Sequence, residues 1–327
     1  MRLPQPVLET VQAEIDKVER RLLVQATAQI SERYKAGEFS SPAITNDALR
    51  AAYLAVRLPA TYAANRRVFS EIRLRAPQPE IASVLDLGAG PGTALWAASE
   101  EFRALQKATL IEADEHWIAL GIALGKALTA NSPLPAVRQQ WHKQDLRSGF
   151  ACDAHDLVVI SYVLGELPPA AAEAVIHKAW SCATKFLVVI EPGTRHGFAA
   201  VNAARSFFIA SGAEILAPCP HLHACPMAAA GDWCHFSQRV ERTSQHRQLK
   251  GGSLGYEDEK FSYLIMRRQS VAPWGARIVR HPGKHSGHVQ LALCTPQGRL
   301  ESRTIARSSK QAYKLARKAE WGDIWDP

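Results

Sequence analysis

VLDLGAGPGTALW, Val84 to Trp96, is the stretch on which the fold turns. A short apolar run, SVLDLG (83–88), ends in three glycines spaced by single residues, and a helical pattern, PGTALWAASEEFRAL, follows at once. Strand, glycine turn and helix in that order let the backbone turn sharply and let a ligand approach it closely. Outward from this point the same alternation repeats. KATLIEA reads as a strand and DEHWIALGIALGKALTAN as a helix with Asp114 as N-cap. HDLVVISY is a strand, PPAAAEAVIHKAWSCA a helix entered through prolines, KFLVVIEPG a strand and GFAAVNAARSFFIASG a helix ending at Gly212. Strands alternating with helices predict an α/β fold with a doubly wound parallel sheet.

The ligand of the glycine loop follows from what accompanies it. A dinucleotide site calls for G-x-G-x-x-G and a P-loop for Gly-Lys-Ser/Thr, and neither is present. Asp86 lies two residues before Gly88, and Pro91 adjoins Gly92. The pattern of Asp86, Gly88, Gly90 and Gly92 resembles motif I of class I S-adenosylmethionine (SAM)-dependent methyltransferases. Glu112, 24 residues past Gly88, ends the next strand, where a carboxylate binds ribose hydroxyls. Asp145 in WHKQDL sits where that family places the acid near the adenine amine. The expectation is a class I, Rossmann-like methyltransferase fold binding SAM. The strand HDLVVISY ends in Ser161-Tyr162-Val163-Leu164, not in the Asn/Asp-Pro-Pro-Tyr/Phe common in amino-N methyltransferases. Tyr162 is a candidate for lining the methyl-transfer site. No residue declares itself as base or nucleophile, so the catalytic residue is unassigned. Cys152 and Cys182 read as small buried residues.

Composition bounds the rest. A chain of 327 residues with 47% hydrophobic and 21% charged residues is ordinary for a globular protein with more than one domain. No apolar run nears the roughly 18 residues that span a membrane. MRLPQPVLETVQAEIDKVERR lacks an apolar signal core and carries acids early, which predicts the cytoplasm and argues against structural disulfides. The net charge of +8 is uneven: from Arg267 to Pro327 there are 12 Lys+Arg against 4 Asp+Glu, while the remainder carries 27 of each sign. A basic end of this kind implies a polyanion partner, nucleic acid first. Apolar residues at Val7, Leu8, Val11, Ile15, Val18 and Leu22 predict helix, SSPAITN supplies start signals for a second, and TYAANRRVFSEIRLRA reads as a third. Pro59 interrupts, and Pro77 and Pro79 close the region. AEILAP and EKFSYLIMRR read as strands, and ARIVRHPGKHSGHVQLALCTPQGRLESRTIARS as three strands split at PGK and PQG, before a basic helix SKQAYKLARKAEW. The expected domains are a helical region 1–80, a SAM-binding domain 81–268 with a cysteine-rich insertion at 218–236, and a basic β-rich RNA-binding appendage 269–327.

The insertion, PCPHLHACPMAAAGDWCHF, holds three of six cysteines. The spacing is Cys219-x5-Cys225-x8-Cys234, with Cys294 far downstream. Structural zinc favours tighter knuckles, and four thiolates without knuckles suit a cubane, whose irons fill a larger volume. His221, His223 and His235 are competing ligands for a Cys3His zinc site.

DLGAGPGT, SYVLGELP, EPGTRHGF, APCPHLHACP, DWCHFSQRVER, EKFSYLIMRR, GHVQLALCTPQGRLE and WGDIW follow one another in order over roughly residues 45 to 325. Together they resemble the methyltransferase-like protein 17 family of mitochondrial small-ribosomal-subunit proteins and its bacterial relatives. The resemblance implies a [4Fe–4S] cluster on Cys219, Cys225, Cys234 and Cys294, with zinc as the alternative. It also implies small-subunit rRNA as partner and a place in ribosome assembly. The expected protein is a monomer without membrane contact that methylates rRNA. The alternative is a non-catalytic rRNA-binding assembly factor on the same fold.

Overall fold

Four helices precede the first strand in the computed structural model, which describes residues 1–36, 46–76, 78–130, 136–270, 272 and 274–327. They are α1 (Gln5–Ile15), α2 (Arg20–Ala36), α3 (Asp47–Val56) and α4 (Leu58–Arg75). The pattern read as one helix from Val7 onward is two, broken between Ile15 and Arg20. Val7, Val11 and Ile15 form the buried stripe of α1. Of the start signals before α3, Ser40, Ser41 and Pro42 lie outside the described residues, as does Pro77. Asn46 caps the helix, its side chain accepting from Leu49 N at 2.9 Å. Pro59 falls in the first turn of α4, where a missing N–H costs no helical bond.

The chain divides into two units, Met1–Ile190 with Gln238–Glu259, and Glu191–Ser237 with Lys260–Pro327. The first contains β1 (Ser83–Leu87), β2 (Lys107–Glu112), β3 (Arg138–Lys143) and β4 (His155–Ser161), with β5 (Ala183–Pro192) ending just beyond it. These strands lie in the order β3-β2-β1-β4-β5 and all pair in parallel. Helices α5 (Thr93–Glu101), α6 (Glu115–Ala130) and α7 (Pro169–Cys182) make the crossovers. This is the class I, Rossmann-like methyltransferase fold. The strand order reverses between β1 and β4, and the crevice at their carboxyl ends is where such sheets take ligands.

Strand β3, RQQWHK, has no apolar run and escapes a hydrophobicity reading. It is an edge strand whose exposed and half-buried residues alternate. Cys152 and Cys182, expected as separate buried thiols, are instead joined in a disulfide with Cα atoms 6.5 Å apart. The pairing arises because the parallel crossover returns the end of α7 to the start of β4, beside Cys152.

In the second unit α8 (Arg195–Ala210) leads to β6 (Glu214–Ala217), which pairs antiparallel with β8 (Tyr256–Arg267). A one-turn helix α9 (Pro226–Ala229) follows within the cysteine-rich stretch. Strand β7 (Phe236–Glu241), most of which belongs to the first unit, and helix α10 (Ser244–Leu249), wholly within the first unit, had no sequence expectation. The C-terminal residues form β9 (Ala276–Ile278), β10 (Gly283–Lys284), β11 (His288–Cys294), β12 (Leu300–Ala306), α11 (Lys310–Lys318) and β13 (Ile324–Trp325). Ile278, Val289, Leu291, Leu293, Ile305, Ala316 and Trp325 give this small sheet its own core. The PQG turn stands, with Gly298 at φ 71°, but PGK is not a turn: Gly283 and Lys284 pair with Gln290 and Val289. No helix among the described residues is long and apolar enough to cross a membrane.

Candidate functional site

The glycine loop leaves β1 at the switch point. Gly88, Gly90 and Gly92 have φ of 72°, 52° and 86°, a region L side chains rarely adopt. A Cβ on Gly88 would stand 2.6 Å from Val163 Cγ2, so the loop and the end of β4 touch there. Above Gly90 a Cβ would meet nothing within 4 Å, which is the open ground a bound ligand would occupy. Glu112 fixes the loop from the end of β2. Its Oε2 accepts from Gly90 N at 2.8 Å, and its Oε1 from Ala113 N and Asp114 N at 2.8 and 3.0 Å. Burial raises its pKa against the lowering by these bonds.

Asp86 is buried, and its Oδ2 has no hydrogen-bond partner among the described residues. Burial first, and then the charge of Glu112, push its carboxyl from the usual 3.8 to about 7. An orphaned carboxylate oxygen beside an open glycine loop fits a ligand that brings a cation, as SAM does through its ammonium group. Asp145 caps a short 3-10 turn and binds the Arg147 side chain, with Nη2 to Oδ2 at 2.6 Å. That partner lowers its pKa, and an adenine amine would share the carboxylate with it. Trp141 on β3 was missed in the sequence: its ring lies 3.4 Å from the Cβ position of Gly92 and bounds the loop's far side.

Tyr162, at the end of β4, has the left-handed φ of 61°. Strain of this kind gathers at functional sites. Its hydroxyl donates to Glu259 Oε1 at 3.0 Å, and Arg57 grips the same carboxylate through Nη2–Oε1 at 2.9 Å and Nη1–Oε2 at 3.1 Å. Ser161 Oγ accepts from Asn65 Nδ2 at 2.9 Å. The polar groups at this edge therefore hold one another.

In the second unit Cys219, Cys225, Cys234 and Cys294 line one cavity. Cys219 and Cys225 flank the loop after β6, Cys234 precedes β7, and Cys294 ends β11. All four are free thiols. Burial raises the pKa of Cys234 well above 9, and repulsion from Cys219, Cys225 and Cys294 adds to it. The same two causes raise Cys294 to about 12. Four thiols that share one cavity, Cys294 buried and the others half-buried, are a donor set that a cationic centre would relieve. Among the described residues, no three His, Cys, Asp or Glu side chains are grouped to hold a single metal ion. Of the three candidate histidines only His221 borders the cavity. Its Nε2 is 3.3 Å from Cys294 Sγ. His223 is exposed, and His235 stacks on Trp233 at 5.3 Å and meets Trp321 edge-on at 4.8 Å. The donor set fits a centre spread over four sulfurs better than a Cys3His ion.

The basic face belongs to the same unit. Lys310, Lys314, Arg317 and Lys318 are exposed on one side of α11, while Ala312, Tyr313, Ala316 and Ala319 turn the other side into the small core. Arg299, Arg303 and Arg307 on and beside β12 are exposed as well, Arg303 bridging to Glu301 at 2.8 Å.

The sequence model of a family described as "Mitochondrial small ribosomal subunit Rsm22" matches residues 47–326. The human protein "Ribosome assembly protein METTL17, mitochondrial" is 30% identical over 294 residues, which span 85% of this chain and 62% of that protein. "Ribosome assembly protein RSM22, mitochondrial" of Saccharomyces cerevisiae is 26% identical over 190 residues, 38% of this chain and 30% of that protein. The chain thus spans less than two thirds of the length of these relatives. Among solved structures, a magnesium protoporphyrin IX methyltransferase of Synechocystis with bound SAM superposes at a TM-score of 0.41 with 15% identity, over 64% of this chain and 80% of that one. A precorrin-6y C5,15-methyltransferase of Geobacter metallireducens does so at 0.39 with 15% identity, over 63% and 87%. Strand order and the glycine loop, not these partial superpositions, carry the fold.

Proposed function

This chain belongs to the mitochondrial small ribosomal subunit Rsm22 family, and from that premise we propose that it binds small-subunit rRNA during ribosome assembly, as a SAM-binding protein with a structural [4Fe–4S] cluster. The observation that carries the reading is the convergence of four cysteines, from segments up to 75 residues apart, within the unit that presents the basic face. Cys294 ends β11, and β12, its ladder partner from His288↔Ala306 to Cys294↔Leu300, leads into α11. A centre bound at Cys294 would therefore hold the strand pair on which the cationic side chains stand, and its binding energy would become folding energy for that sheet. A [4Fe–4S] cluster supplies four linked coordination points at once, where a single ion would need the thiols closer together.

Asp86, Glu112 and the three glycines are the residues we assign to SAM. Glu112 shapes the loop and retains acceptor capacity for a ribose hydroxyl; Asp86 awaits a cation. Bound SAM would supply an electrophilic methyl group. A second reading, methyl transfer to rRNA, is favoured by the fit of that loop. The mutual engagement of Ser161 with Asn65, and of Tyr162 with Glu259 and Arg57, favours the binding role. Incubating the protein with labelled SAM and immature small-subunit particles decides between them. Label on the rRNA establishes the second reading. Tight SAM and RNA binding without label establishes the first. No RNA binding at all removes the proposal.

A further inference from the structure

A cubane on four cysteines is an anion: the oxidised core carries about +2 and the four thiolates about −4. Burying about two negative charges without partners is costly, so the protein needs cations in the same low-dielectric space. Two arginines are buried there, and both line the cavity: Arg205 at 4% exposure and Arg277 at 1%. Arg277 is fully used as a strut. Its Nε donates to Pro218 O at 3.0 Å, its Nη1 donates to Gly322 O, and its guanidinium lies 4.8 Å from the Trp274 ring centroid.

Arg205 is the unusual one. It projects from α8 on the buried face that otherwise carries Gly197, Val201, Ala204 and Phe208. Its Nη2 donates to two carbonyls of the loop between Cys219 and Cys225, to His221 O at 3.1 Å and His223 O at 2.6 Å. His221, whose backbone it grips, places Nε2 against Cys294 Sγ. Yet Arg205 Nε, though buried, has no hydrogen-bond partner among the described residues. A buried guanidinium donor left open is costly unless something absent accepts from it.

The geometry points to Arg205 as a positioning residue for the metal centre: its fork sets the Cys219–Cys225 loop, its open Nε donates to a sulfur of the cluster, and its charge, with that of Arg277, neutralises the site. This rests on the iron–sulfur reading above. A fixed positive charge favours the reduced, more negative cluster, so it also raises the reduction potential.

The test uses the full chain, reconstituted anaerobically, with Arg205→Met and Arg205→Lys beside the parent. Iron per chain, midpoint potential and the rate of iron loss to a chelator are measured. Arg205→Met is expected to lose at least tenfold in relative stabilisation of the reduced cluster, a fall of about 59 mV for one electron, and to release iron at least tenfold faster. Arg205→Lys keeps the charge and the potential but not the fork, so its iron should also leave faster. Arg205→Met with full iron, unchanged potential and unchanged release overturns the inference. If Arg205→Met does not fold, an Arg205→Lys protein that releases iron at the parent's rate overturns it equally. A parent protein that takes up no cluster defeats the iron–sulfur reading itself, an outcome distinct from either.

Discussion

Asp86 offers a test in which the sign and the size both come from the structure. Its carboxyl titrates near 3.8 in an unfolded chain and at about 7 in the fold, chiefly because it is buried. Between those values the folded state binds the extra proton, so stability falls as pH rises from about 4 to about 7 and then levels off. At about 1.36 kcal/mol per pKa unit, the shift is worth about 4 kcal/mol. Asp86→Asn removes the ionisation while keeping the shape. The variant should therefore gain on the parent by about 2.5–3 kcal/mol between pH 5 and pH 8.5, the rest of the shift falling below pH 5. Urea midpoints of both proteins, followed by tryptophan fluorescence across that range, give the difference directly, and other titrating groups cancel in it. SAM should shrink the gap, because a bound ammonium supplies the partner that Oδ2 lacks. A difference between the two proteins that does not change with pH refutes the reasoning.

Other perturbations reach other parts of the account. Arg57→Met leaves the Glu259 carboxylate buried and uncompensated by charge, with the Tyr162 hydroxyl still donating to it, and should cost about 3–5 kcal/mol in a denaturant titration, with recovery in Arg57→Met/Glu259→Met; no recovery in the double variant means the cost was packing. Gly88→Ala places a Cβ against Val163 at a φ of 72° and should weaken SAM binding at least tenfold by calorimetry; unchanged affinity separates the loop from the ligand. Substituting Lys310, Lys314, Arg317 and Lys318 by alanine should reduce the log–log salt slope of RNA binding by about 3, at about 0.7–0.9 per lost phosphate contact; an unchanged slope leaves α11 as solvated surface.

What the sequence made legible follows the physics of burial. Strands β1, β2, β4 and β5 are buried on both faces, so they read as apolar runs bounded by turns. Strand β3, at the sheet's edge, is polar, and its residues carried no such signal. The glycine loop was legible because positive φ demands glycine. The company that Asp86 keeps was not, since an orphaned oxygen is a property of three dimensions. Three of the four cysteines announced themselves by density, two of them followed by prolines, while Cys294 stands 60 residues beyond Cys234. Arg205 did not, because one arginine on an alanine-rich helix reads as surface. The Cys152–Cys182 pair was hidden by the separation of 30 positions between its members.

The central claim is that the four cysteines hold a metal centre on which the basic face depends. Metal and sulfide analysis of anaerobically prepared protein, with the optical spectrum and RNA affinity of the parent and of Cys294→Ser, tests it most directly. The account predicts about four irons per chain in the parent, and a Cys294→Ser protein that has lost both the cluster and its RNA affinity with every basic residue intact. A parent protein containing neither iron nor zinc, folded and binding RNA at full affinity, would contradict it.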